Sequence, residues 1–286
     1  MTLYNCFKAF WIAFICLFIA DVSAKSTSTQ VLRLYQTDFQ FEYHIELLKI
    51  ALDKTAADYP DTRLQFTEQV TPGRGLKMLE QGEVDIAFLA SSKEREQNFI
   101  PIKIPLLKGL LGYRLLLIHQ DNLEKFQQVS STKDLSDSFV AGFGMHWADI
   151  EVLRQNRLPT QEVGTVTSLH RMLDAKRFDY FPRGVNEIWE EKQRLNRQLP
   201  DLMIEPNIAL VYNLPVYVFV NKDLPELAER IEKGLNKATD DLSFQELFLK
   251  YYSDSILKAR LSERKIIHLQ NDDYPMTSTI DTSWWL

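Results

Sequence analysis

Beyond residue 24 the sequence contains no cysteine; Cys6 and Cys16, the two in the chain, both lie in the N-terminal segment. Loss of that segment would exclude disulfides, thiol catalysis and Cys-ligated metal. Basic residues are outnumbered, with a net charge of −6 and a pI near 5.5. No surplus of cations is available to neutralise phosphates, so nucleic acid is not an expected partner. The histidines (His44, His119, His146, His170 and His268) are scattered without metal-ligand spacing. Glu42 and His44 are close but form no HExxH, and neither GxSxG nor a P-loop occurs. No later apolar run is long enough to span a bilayer, and there is no internal repeat.

Chain length and composition are those of a globular protein: 286 residues, 45% hydrophobic and 25% charged, enough for one large or two ordinary domains. Lys8, the short apolar run Ala9 to Ala20 and the small residues of Val22-Ser23-Ala24 form a secretory signal pattern. Cleavage is expected after Ala24. A retained anchor is the alternative, but the run falls short of the ~20 residues a spanning helix needs. Ile15 before Cys16 fits a lipoprotein signal poorly.

Periodicity then predicts alternating elements. Strands are expected over Val31–Tyr35, Arg63–Val70 and Val84–Ala90. Helices are expected over Glu42–Tyr59, with Ile45, Leu48 and Leu52 on one face and Pro60 as the stop, and over Leu76–Gln81 after the turn Pro72–Gly75. This order implies a parallel sheet. Further on, strands are expected over Phe139–Phe143, Glu162–Val166, Phe178–Phe181 (stopping at Pro182) and Leu210–Val220. Helices are expected over Asp149–Asn156, Ser168–Ala175 with Ser168 as cap, Val185–Gln198, Leu224–Leu235 and Ser243–Tyr252. An irregular tail starts at Asn271. The pivotal stretch is Val84 to His119. Its buried strand leads into the polar segment Ser91–Gln97, which sits where ligands bind at the carboxyl ends of strands.

SSKEREQNFIPIKIP (Ser91–Pro105) resembles the signature of bacterial periplasmic solute-binding proteins of the amino-acid-binding type, in which Thr/Ser, Arg and an aromatic precede a proline. GEVDIAF (Gly82–Phe88) and KDL (Lys133–Leu135) followed by VAGFG are similar to the same family over nearly the whole mature chain. The resemblance implies an α/β fold of two lobes, each a mixed, mostly parallel sheet flanked by helices. Two crossing strands, Tyr113–His119 and Asn213–Val220, would join the lobes, with ligand between them. The expected organisation is signal peptide 1–24, lobe one 31–115 with 215–286, and lobe two 116–214.

The resemblance also implies that Arg95 pairs with a ligand carboxylate, which suits a guanidinium's forked donors. In a charge run the same arginine would instead pair with Glu94 or Glu96. Ser91 and Ser92 are candidate donors or merely turn the chain. The family's acidic partner for a ligand ammonium falls near Arg183, a cation, which favours an anionic or polar ligand over a standard amino acid. Arg183 and Glu187 also have the spacing of a helical ion pair. Tyr180 is placed to line the cleft or the core. GMHWAD (Gly144–Asp149) is a glycine-led loop entering a helix, where Trp147 would stack on a ligand and His146 hydrogen-bond it, or Trp147 would pack and Asp149 cap the helix. Arg74 lies at another helix start, and Phe41, with Phe39 and Tyr43, follows the first strand as a stacking candidate.

These readings imply a monomeric, non-catalytic periplasmic receptor without cofactor or metal. It would capture a small polar, carboxylate-bearing solute for an inner-membrane ABC permease. A sensory module for a membrane signalling partner, or a small-molecule lyase or isomerase on the same scaffold, are the alternatives.

Overall fold

The computed structural model describes residues 29–276 apart from Asp38 and Gln69. The expected leader, residues 1–24, and the terminal Trp284-Trp285 lie outside the described residues. No helix among the described residues is long and apolar enough to cross a membrane.

In the first lobe, β1 (Gln30–Leu34) pairs in parallel with β2 (Thr62–Phe66) through α1 (Glu42–Asp53). The spacing of Tyr43, Leu47, Leu48, Ala51 and Leu52 buries one face of α1 against α9 (Pro225–Asp240) and α10 (Ser243–Ala259). The helix ends at Asp53, before Pro60. Thr55 Oγ1 donates to the carbonyls of Ala51 and Leu52 at 3.1 and 2.9 Å, satisfying the last turn. α2 (Pro72–Glu80) starts at the proline itself, because the ring fixes a helical φ and its missing N–H is not needed there.

β3 (Ile86–Ala90) is the buried strand expected at the centre, with Ile86 to Leu89 all inside. It does not continue a parallel ladder from β1. It pairs antiparallel with β10 (Val216–Val220), which also pairs with β4 (Ile100–Ile102). Asp85 fastens the two sheets together, accepting from Arg33 N at 2.7 Å and Arg33 Nε at 3.1 Å. The polar segment after β3 folds into α3 (Lys93–Asn98).

The second lobe is built on a six-stranded mixed sheet, in order β11 (Lys265–His268), β9 (Leu202–Val211), β5 (Tyr113–His119), β8 (Tyr180–Gly184), β6 (Ala141–Gly144) and β7 (Thr160–Val163). Leu115 to Ile118 of β5 are fully enclosed at its centre. Between strands run α4 (Leu123–Phe126), α5 (Thr132–Ser138), α6 (Ile150–Gln155), α7 (Val166–Asp174) and α8 (Ile188–Leu195). Thr165, not Ser168, caps α7, accepting from Ser168 N at 3.2 Å. β8 runs through Pro182 instead of stopping there. β6 meets β8 only at Ala141–Tyr180, so beyond that residue one side of β8 requires no N–H.

The strand expected over Leu210–Val220 is two strands. β9 ends at Val211 in the second lobe and β10 begins at Val216 in the first, with residues 212–215 crossing between them. Tyr212 N donates to Gly112 O at 3.1 Å where the two crossing segments meet. A Cβ on Gly112 would lie 2.0 Å from Tyr212 O, so this approach requires glycine. After α10 the chain returns to the second lobe, where β11 pairs in parallel with β9. The assignment of all of 215–286 to lobe one therefore fails at this edge strand, which is too short to show a periodicity.

Candidate functional site

The segment after β3 and the loop after β6 meet through a hydrogen bond between the lobes. On the first lobe, the Ser92 side chain caps α3 by accepting from Arg95 N at 3.3 Å. The cap fixes the first turn so that the Arg95 side chain folds back and donates from Nη1 to Ala90 O at 2.6 Å. Its Nη2 reaches the other lobe, donating to His146 O at 3.1 Å. Burial pulls the Arg95 pKa below its ordinary value, while Tyr35 and Asp149 oppose that shift. Among the described residues no carboxylate forms an ion pair with this guanidinium.

On the second lobe, His146 has φ +67, a left-handed turn that ends β6 and aims its carbonyl at Arg95. The His146 ring approaches α2 of the first lobe, 3.5 Å from where a Cβ on Gly73 would stand. Trp147 packs edge-on to Phe143 and stacks over Phe181, and the Arg183 guanidinium lies 5.0 Å from the Trp147 ring.

Behind the loop runs a buried ionic ladder. Arg114 donates to Asp149 at 2.5 Å and to the Tyr212 hydroxyl at 2.9 Å, and that hydroxyl donates to Asp149 at 2.7 Å. Glu187 lies 3.5 Å from Arg114 and 3.2 Å from Arg183. Arg183 Nε donates to Glu191 at 2.8 Å. Burial alone would raise Glu191, but Arg183 and His170 outweigh it and hold the carboxyl down to about 2. Three carboxylates (Asp149, Glu187, Glu191) thus face two guanidiniums. Asp149 also acts at a distance on Arg95 of the first lobe, with which it forms no ion pair.

The other expected site residues divide into two groups. Ser91 is enclosed, donating to Glu96 at 3.1 Å with its Oγ 2.6 Å from the Tyr274 hydroxyl. Phe41 stacks on Phe88, ring centres 6.4 Å apart, beside the buried His44. Arg74 turns away and pairs with Glu83 at 3.0 Å on the surface. Tyr180 lies inside the second-lobe core against Phe126, at 5.9 Å, not on the cleft. Asp149 does not cap α6 with its side chain, because Arg114 and Tyr212 engage it. Arg183 takes the ion-pair option with Glu187 and adds Glu191. Among the described residues no group of His, Cys, Asp and Glu is arranged to hold a metal ion.

No family model matches the chain, and no curated protein matches it by sequence. Solved structures do match. An amino acid ABC transporter substrate-binding protein from Streptococcus pneumoniae, bound to L-arginine, is 17% identical with a TM-score of 0.58, covering 80% of this chain and 96% of that one. A histidine kinase sensor domain with similarity to periplasmic binding proteins is 16% identical with a TM-score of 0.60, covering 78% and 95%. An ancestral amino acid-binding protein, described as a precursor of cyclohexadienyl dehydratase, is 14% identical with a TM-score of 0.59, covering 78% and 95%. The chain has the periplasmic binding protein fold.

In this binding-protein fold, Arg95 and His146, both singled out in the sequence, meet between the lobes with Trp147 packed beside them, whereas the ladder's organisation carried no signal in the sequence. Arg114 was simply part of the crossing strand Tyr113–His119, and Glu187 only the spacing partner of Arg183. Asp149, Glu187 and Glu191 come from different turns of chain, and the pairing of β5 with β8 brings both arginines within reach of Glu187. Tyr274 carried no local signal.

Proposed function

We propose that this chain is an exported, non-catalytic, monomeric binding protein that captures a small polar, carboxylate-bearing solute between its lobes and delivers it to an inner-membrane ABC permease. Arg95 carries this reading. Its half-buried guanidinium forms no ion pair, Asp149 and Glu94 acting on it only from a distance, and an anion that replaces the neutral carbonyl of His146 would add paired, charge-assisted hydrogen bonds. The ladder supports the reading, because Arg183 and Arg114 are already neutralised and leave Arg95 as the cation that selects the solute. Trp147 and Phe41 supply apolar surface on either side. The neighbour bound to L-arginine supports a carboxylate on the ligand. A thermal-shift screen of the leaderless chain against amino acids, dicarboxylates and hydroxy acids tests it. A specific shift for one carboxylate class, lost in Arg95→Ala, is the expected result. A shift untouched by that substitution would remove Arg95 from the site.

A second reading is favoured by the neighbouring histidine kinase sensor domain: the same capture, presented to a membrane signalling partner. A genomic neighbourhood with a kinase or cyclase and no permease would select it. The neighbour described as a dehydratase precursor keeps a lyase or isomerase as a third reading, which turnover of the bound solute would select.

A further inference from the structure

The chain after β11 runs out of the second lobe along a path fixed at each step. Gln270 N donates to Asn156 Oδ1 at 2.9 Å, and Asn156 Nδ2 donates to Gln270 O at 2.7 Å, so a side-chain amide reads the main chain as a strand neighbour would. Asp272 N donates to Gln155 Oε1 at 3.0 Å. Asn271 Nδ2 donates to Asn213 O, on the crossing segment, at 2.8 Å. The next contacts are on the first lobe. Lys93 N donates to Asp273 at 3.1 Å and Lys93 Nζ lies 3.4 Å from the same carboxylate. The Tyr274 hydroxyl is shared between Ser91 Oγ, at 2.6 Å, and Glu96. Between Gln270 and Tyr274, then, the chain is pinned to the second lobe, the crossing and the first lobe in turn.

We propose that this segment is an interlobe clasp. β11 and Asn156 anchor it to the second lobe, Asn271 is its pivot on the crossing, and Tyr274 is the catch on the first lobe. Lobe opening moves β3 and α3 away from the second lobe, which carries the anchor. The catch must then release, because so few residues separate Gln270 from Tyr274 that the chain holds no slack. Tyr274 is also a positioning residue. Its two partners, Ser91 and Glu96, bracket Arg95 along the chain, and Lys103 holds Glu96 from its other side at 2.7 Å. The catch therefore stiffens the turn of α3 from which Arg95 reaches His146. With Tyr274 engaged, the Ser91 hydroxyl serves the clasp rather than a solute.

Hydrogen exchange of the full chain without solute tests the clasp, and so stands or falls separately from the proposed function. In Tyr274→Phe, which removes only the hydroxyl, the amides of residues 95–99 and 145–147 should exchange at least about tenfold faster. The amides of β5 should keep their protection. Asn156→Ala should give the same pattern from the other end. Combining the two should add little to either alone, because both release one device. Unchanged exchange at 95–99 and 145–147 in both variants would overturn the clasp. So would a uniform rise that includes β5, which would make the segment an ordinary part of the global fold.

Discussion

The guanidinium of Arg95 donates to the carbonyl oxygen of His146 at 3.1 Å, joining the two lobes through a cation and a main-chain atom. The second partner is neutral, so the bond satisfies a donor without balancing a charge. An anion competes for the same donor with a larger gain, since it adds charge–charge attraction and can accept from the fork at two points. Arg95→Ala should weaken carboxylate binding by on the order of tenfold to a hundredfold, the equivalent of about 1.5–3 kcal/mol for a charged hydrogen bond. Arg95→Lys should recover part of this, having the charge but not the fork. Isothermal titration with the best carboxylate from the screen measures both. Equal affinities in wild type and Arg95→Ala would place the anion elsewhere.

The ladder behind Trp147 stabilises only as a complete set. Arg114 and Asp149 are both buried, and removing one leaves the other charged and unpaired in a buried site. Arg114→Met should destabilise the fold by about 3–5 kcal/mol in urea unfolding, the usual cost of breaking a buried pair from one side. Arg114→Met with Asp149→Leu should recover most of it, because apolar groups of similar volume often replace a buried pair at little cost. A double variant no more stable than the single one would show that Glu187 and Tyr212, not Asp149, are the partners that matter to Arg114.

Acid should weaken the fold through His44. Burial among Phe41, Tyr43 and Phe88 pushes this imidazole from 6.5 to about 3, a loss that its hydrogen bond near the Gln40 backbone only partly offsets. The unfolded chain takes up a proton as pH falls through 6.5, and the folded chain does not until about 3. Stability is therefore lost progressively across that window. At pH 5 the loss is about 2 kcal/mol, from 1.5 pH units at about 1.36 kcal/mol each. His44→Leu removes the group, so the stability difference between wild type and variant should move by this amount between pH 8 and pH 5. A difference independent of pH would mean that His44 is not neutral in the folded state. Glu191 acts in the same direction at lower pH, since the stability from its depressed pKa is lost progressively as the pH falls below 4.5 and is gone near about 2.

How much of this was legible in the sequence depends on where each signal is stored. Helix α1 announced itself because Leu48 and Leu52 recur on one face, and β3 because Ile86 to Leu89 are all buried. β9 was legible only at its end. It contains Glu205-Pro206, and the Glu205 carboxylate accepts from the backbone N–H groups of Asn207 and Ile208 and carries the strand past the proline. Arg95 was found from a motif, but its partner on the second lobe is a carbonyl, which every residue has, so no residue type could mark His146 O. The clasp uses Asn, Asp and Tyr at positions whose local pattern is that of an irregular tail. What those side chains do is set by β11 lying beside β9, a long-range pairing that a four-residue strand does not advertise.

Trp147 depends on the absence of a side chain three residues earlier. A Cβ on Gly144 would lie 2.2 Å from the Trp147 ring, closer than any van der Waals contact, and the obstacle is a rigid indole between Phe143 and Phe181. Gly144→Ala must therefore tilt the indole away from β6, and with it the loop that points His146 O at Arg95. Its thermodynamic cost should be about 1–3 kcal/mol, as for other overpacked sites. The effect on binding should be separable from that cost. With the indole displaced, Arg183 loses its cation–π partner at 5.0 Å but keeps Glu187 and Glu191, so the ladder survives while the apolar wall of the cleft moves. Gly144→Ala should consequently lower solute affinity at temperatures where the variant is still fully folded. Trp147→Phe, which refills part of the same space, should lower it less when introduced into the Gly144→Ala background than into wild type. If the two substitutions act independently on affinity, the glycine and the indole do not share a function, and Trp147 is only a packing residue.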